Sequence, residues 1–214
     1  MKSQDVVLML KLISLQKQEV PRSSFDRVRD AWPLDWCDWD EELEDRGLLD
    51  SVNAEQFRAT VYTARALELE TGISKTQVNE SLKRCIDIGL AKKDRKYGVP
   101  RCNYVALEEV LISGAKYFFH VKPGTLVRGI GTAFAAPVLH EMLISAGDLI
   151  PVWPDASGHS KGLAIEPLHK SVPFAVRKDP ELYALLALVD AIRIGQPREA
   201  NLAKEMLQKR MKPA

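Results

Sequence analysis

Apolar positions along the chain fall into separate periodic blocks divided by glycine, proline and charge. Residues 3–16 place Val6, Met9 or Leu10, and Ile13 on one side of an amphipathic helix, with Ser3 as its cap. Ala64, Leu67 and Ala66 can share one face of a short helix that stops at Gly72, the residue best able to take the positive φ of a helix C-cap. Ile73 plugs the corner that follows. Ser74 can cap a second helix by accepting from the backbone of Gln77. That helix buries Val78, Leu82 and either Cys85 or Ile86, and it ends near Gly89.

Its opposite face is polar: Lys75, Thr76, Gln77, Asn79, Glu80, Lys83 and Arg84. Amide side chains suit the adenine edge, Lys and Arg suit guanine or phosphate, and a Thr methyl suits the thymine methyl. The N-terminal turns of a helix laid in the major groove read bases, which assigns that role to Lys75, Thr76, Gln77 and Asn79. Lys83 and Arg84 lie further along, where phosphate contact is expected. Residues 90–105 then predict two short strands around a glycine-containing turn, with Lys92, Lys93, Arg95, Lys96 and Arg101 as backbone contacts.

Residues 64–84 together with this basic hairpin resemble the winged helix-turn-helix transcription regulators of bacteria, broadly of the MarR-like kind. The resemblance covers about a fifth of the chain. The remainder, including residues 126–137 and 152–155, is similar to uncharacterised bacterial proteins that carry such a head, and that similarity supplies no activity.

Beyond the hairpin, residues 107–119 predict a helix with Val110, Leu111 and Tyr117 or Phe118 on one face. Residues 123–137, rich in Gly, Thr and Ala, predict an extended or irregular segment, followed by a helix over 138–145. Two apolar runs, 150–154 and 162–165, flank a polar stretch and predict a hairpin. Asp179 before Pro180 opens a helix by cap-then-proline logic, burying Leu182, Leu185, Leu186, Val189 and Ile192. A last helix is expected over 198–210. The fold class expected is mainly α with small β, an α+β protein. Residues 1–121 form the winged head, with an insertion at about 21–56, and residues 122–214 form a C-terminal α+β region for dimerisation or partner binding.

Composition narrows the function classes. The chain's 46% hydrophobic and 28% charged residues are those of a globular protein. The apolar stretch from Val6 to Leu15 is too short to span a bilayer and lacks a signal-peptide cleavage site, so no membrane association and a cytoplasmic location are expected. Cys37, Cys85 and Cys102 have neither disulfide-framework nor zinc spacing. A net charge of +1 conceals an asymmetry that matters for DNA. Residues 61–101 carry nine Lys or Arg against five Asp or Glu, whereas residues 20–60 carry five against eleven. A basic surface can therefore operate locally within a neutral chain.

The acidic stretch carries Trp32, Trp36 and Trp39. It reads as a surface loop with buried tryptophans, as a docking element for a basic partner, or as a competitor of DNA for the basic face. Other constellations point to no chemistry. His120, His140, His159 and His169 have no metal-ligand spacing. Gly129 and Gly131 lack the rest of a dinucleotide fingerprint, and Ser157, Ser160 and His159 lack a nucleophile elbow. No metal, no cofactor and no enzyme activity are expected. Arg128 and Trp153 read as architecture, with a ligand or partner groove of Arg128, Thr132 and Trp153 as the alternative.

The sequence thus reads as a sequence-specific DNA-binding transcription regulator. The helix over 181–194 is apolar beyond one stripe and needs cover from the C-terminal α+β core or from a second subunit; with Leu202, Met206 and Leu207 also needing cover, and with two-fold regulators reading paired half-sites, a homodimer is expected. The alternative is a protein-interaction module, an antitoxin or adaptor, whose C-terminal region binds a partner protein while the head autoregulates.

Overall fold

In the computed structural model, which describes residues 1–19, 54–140 and 149–212, two helices run through the middle of the core. The first, α1 (Ser3–Gln18), is not amphipathic as expected. Every residue from Gln4 to Leu15 is buried, because neighbouring elements cover it on all sides. Lys2 flanks it, and its backbone N–H donates to the Asp5 carboxylate at 2.6 Å. The second is α8 (Pro180–Ile194), capped by the Asp179 carboxylate, which accepts from the Leu182 N–H at 3.0 Å. All residues from Leu182 to Arg193 are buried within the single chain. An all-round apolar helix requires such cover, and of the two sources expected, the chain's own core and a second subunit, the chain itself supplies it.

Polar residues on these two helices are paired. Lys11, 1% exposed, donates to Asp179 at 2.9 Å and to Glu70 at 3.1 Å, and the Ser14 hydroxyl donates to the same Asp179 at 2.7 Å. Burial works to lower the Lys11 ammonium, but the two carboxylates hold it above its ordinary value. Further along α8, the Asp190 carboxylate accepts from Trp153 Nε1 at 2.6 Å and Thr132 Oγ1 at 3.0 Å, and pairs with Arg193.

Between the central helices, in chain order, lie α2 (Ala54–Val61), α3 (Ala64–Thr71) and α4 (Lys75–Asp87). Strands β1 (Ala91–Lys93) and β2 (Pro100–Cys102) follow, paired antiparallel with Lys92 opposite Arg101, and then α5 (Tyr104–Phe118). Helix α5 buries Leu107, Leu111, Gly114 and Ala115. Tyr117 and Phe118, one of which was expected on the packed face, are both exposed, at 78% and 75%, and the Phe118 ring folds back over Gly114, where a Cβ would lie 2.7 Å from it.

Strands β3 (Leu126–Gly131), β4 (Pro151–Pro154) and β5 (Ser160–Ala164) form a small closed three-stranded unit, and the short helix α6 (Pro137–His140) follows β3 in the chain. The expected β4–β5 hairpin does not form. Both strands pair antiparallel to β3, and their own contact is parallel, Pro151 with Leu163 and Val152 with Ala164. Close approach makes this possible: a Cβ on Gly129 would lie 2.0 Å from the Trp153 carbonyl oxygen, and one on Gly162 2.0 Å from that of Ile150. Helices α7 (Val172–Val176) and α9 (Pro197–Met211) complete a mostly helical α+β fold. One continuous core runs from Val6 to Met211, across the expected boundary at residue 121. Trp32, Trp36, Trp39, Cys37 and the second half of the helix expected over 138–145 lie outside the described residues.

Replacing Lys11 with Met leaves Asp179 buried without its cation, and chemical denaturation should show a loss of about 3–5 kcal/mol. The double variant Lys11→Met/Asp179→Asn should recover part of that loss, because Asn retains the cap. A double variant as unstable as Lys11→Met would show that the pair's charges do not control stability.

Candidate nucleic-acid interface

The surface expected to meet DNA is built on a corner. Helix α3 ends at Gly72 with φ +67, the left-handed region in which an L side chain is strained. Ile73 is fully buried, and the Ser74 hydroxyl accepts from the Gln77 N–H at 3.5 Å to start α4. Helix α4 buries Val78, Ser81 and Cys85, with Cys85 rather than Ile86 as the inward residue. The helix is held against α1 by polar contacts: Gln4 donates to the Ser81 hydroxyl at 3.0 Å, and Arg84 Nη2 lies 2.6 Å from Asp5.

This arrangement sorts the expected site residues. Lys75, Thr76, Gln77, Asn79 and Lys83 are exposed on the outer face of α4, with Glu80 among them. Arg84 is a correction, because its guanidinium turns inward onto Asp5 and Ser81. Burial works to raise the Asp5 carboxyl, yet hydrogen bonds from Arg84, the Lys2 backbone and Ser81 hold it below its usual range.

The hairpin separates in the same way. Lys92, Lys93, Arg95 and Lys96 are exposed along it. Its turn is ordered by the Asp94 carboxylate, which accepts from the backbone N–H groups of Lys96 at 2.7 Å and Tyr97 at 3.1 Å. Arg101 is the second correction. It is 8% exposed and donates to both Glu19 oxygens, to the Tyr62 hydroxyl at 2.8 Å and to Asp94 at 3.4 Å. A guanidinium so committed is not free for phosphate.

The hairpin is thereby fastened to the end of α1. Arg58 of α2 joins the same cluster, donating to Glu19 at 2.7 Å while its guanidinium lies 4.1 Å from the centre of the Tyr97 ring. Burial works to raise the Glu19 carboxyl, but the hydrogen bonds from Arg101, Tyr62 and Arg58 hold it below its ordinary value. Sequence reasoning missed Glu19, Arg58, Tyr62 and Asp94, which have no shared spacing to reveal them.

The expected groove of Arg128, Thr132 and Trp153 does not assemble. Thr132 and Trp153 are buried on Asp190, whereas Arg128 is exposed on β3. Burial pushes the thiols of Cys85 and Cys102 up to about 12, which keeps them protonated and unreactive. Among the described residues, no helix is long and apolar enough to cross a membrane, and no cluster of His, Cys, Asp and Glu is arranged to hold a metal ion. No known protein family, curated protein or solved structure matches the chain.

The anchor makes a pH-dependent prediction. A carboxyl whose folded pKa is depressed contributes stability that is present above its unfolded value of about 4.3 and lost as pH falls through the folded one. Glu19→Gln should cost about 1–3 kcal/mol near neutrality and weaken hydrogen-exchange protection in residues 91–102. The gap to wild type should close progressively below about pH 4. A gap unchanged across that range would contradict a charged anchor.

Proposed function

We propose that the protein is a sequence-specific DNA-binding transcription regulator acting through a winged helix-turn-helix, with α3 and α4 as the helix pair and the β1–β2 hairpin as the wing. The observation that carries this reading is the outer face of α4. Lys75, Thr76, Gln77 and Asn79 stand exposed at its first turns, beyond a corner closed by Gly72 and Ile73. Those side chains match base edges in the major groove.

The hairpin supports the reading as a source of sequence-independent affinity. Four exposed cations lie along it, while Arg101 and Asp94 are used internally to hold its shape. Positioning by phosphate contacts and reading by base contacts are thus separated between two adjacent elements, as duplex recognition requires.

The regulator acts as a homodimer in this proposal, since two copies bring two recognition helices to paired half-sites. Helix α8 is not the dimer surface, because its own chain covers it completely. A second reading, a module that binds a partner protein, draws on the exposure of Tyr117 and Phe118. Tyr117 lines a groove of about 380 Å³ between α5 and α9, together with Ile112, Lys116, Pro197 and Lys204.

Gln77→Ala and Asn79→Ala should each reduce discrimination between a selected operator and random duplex by about 1–3 kcal/mol, with little effect on random-duplex binding. Neutralising Lys92 and Lys93 should instead weaken binding to every sequence and lower the salt slope by roughly 0.9 for each phosphate left without its cation. Anisotropy titrations measure both. Unchanged specificity in both α4 variants would remove this helix from the reading role.

A further inference from the structure

The C-terminal region meets the candidate interface at its corner. A Cβ placed on Gly72 would lie 3.0 Å from the Ser171 Cβ and 3.1 Å from the Phe174 ring, so the start of α7 is seated on the turn before α4. Lys178 fixes the far end of α7 there, its ammonium donating to the Leu69 carbonyl at 3.1 Å and lying 4.5 Å from the centre of the Phe174 ring. Lys170, next to Ser171, is exposed beside this contact.

From α7 the contacts continue to the three-stranded unit. Arg177 pairs with Asp155 at 2.8 Å, and the Asp155 N–H donates to the Arg128 carbonyl at 3.2 Å. Arg128 itself stands directly opposite Lys161 across the antiparallel β3–β5 pair, and both are exposed. Like charges opposed in this way repel. The nearest carboxylate in this sequence of contacts, Asp155, is engaged by Arg177, and neither Arg128 nor Lys161 has an ion-pair partner among the described residues. An anion bridging the two would turn their repulsion into joint attraction.

We propose that Lys170 and the Arg128–Lys161 pair form a second phosphate-contacting surface, on the α7 side of the corner, that extends the DNA interface from α4 onto the β3–β5 sheet. This rests on the DNA-binding reading above. The surface makes no base contacts and holds the duplex by its sugar-phosphate backbone, so that the three-stranded unit acts as part of the DNA-binding surface. A duplex lying on α4 is thereby gripped by the β1–β2 hairpin and by this strip.

The test uses the full chain and a random-sequence duplex, with anisotropy titrations over a range of salt concentrations. The triple variant Arg128→Gln/Lys161→Gln/Lys170→Gln should lower the logarithmic salt slope by roughly 0.9 for each phosphate it no longer neutralises, about 2 to 3 in all. Arg128→Lys keeps the charge and should keep the slope, and thermal melting checks that each variant is folded. If wild type binds, and neutralising Lys92 and Lys93 flattens the slope while the folded triple variant matches wild type, this surface is excluded and the DNA-binding reading stands. If wild type does not bind duplex DNA at all, the reading fails and the second surface falls with it.

Discussion

Burying a lysine in the middle of a helix is tolerable only if a carboxylate is buried with it, and the contact between Lys11 and Asp179 is where the described parts of this chain are tied together. Asp179 is fully buried and serves two purposes. It accepts from Lys11 and Ser14 on α1, and it caps the first turn of α8. Burial works to raise its carboxyl, but Lys11, Ser14 and the Leu182 N–H hold it below its ordinary value. An apolar pairing of α1 and α8 could slide by a residue at small cost, whereas a buried charge pair admits one register. Glu70 extends the same pair to α3.

The candidate interface inherits its geometry from that arrangement. Helix α1, buried through its apolar residues and paired to α8 by Lys11, supplies Asp5 to Arg84 and Gln4 to Ser81, which hold α4 against it. Glu19, just past its last turn, engages Arg101 and so holds the hairpin. With the inward face of α4 occupied in this way, Lys75, Thr76, Gln77, Asn79 and Lys83 point outward. Several arginines of this region are internal fasteners, and lysines supply most of the exposed cations. Arginine's planar fork suits it to the first role, because it can engage a carboxylate and a hydroxyl together.

Local signals in the sequence were readable and long-range ones were not. The corner at Gly72 and Ser74, the cap at Asp179 and the inward position of Val78 depend on residues a few positions apart, so pattern alone reveals them, although it leaves Cys85 and Ile86 as alternatives for the next inward turn. The inward turn of Arg84 and Arg101 depends on Asp5 and Glu19, 79 and 82 positions away, and no spacing announces such partners. Helices α1 and α8 expose a different limit. Periodicity finds a helix with one apolar stripe, but a helix buried all round carries no stripe from which to read its neighbours. The parallel contact of β4 and β5 was hidden for a related reason. Two apolar runs separated by a short polar stretch suggest a hairpin, and only the close approach at Gly129 and Gly162 lets β3 take both as partners. Lys11 interrupts the apolar run from Val6 to Leu15, but nothing in the sequence announces its pairing with a cap residue 168 positions away.

The central claim is that this surface reads duplex sequence. Selection of binding sites by the wild-type protein from a random double-stranded library, followed by affinity measurement on the enriched and unenriched pools at one fixed salt concentration, tests it most directly. The account predicts enrichment of a defined motif bound at least about 10³-fold more tightly than random duplex. Recovery of no motif, or equal affinity for both pools, would contradict it.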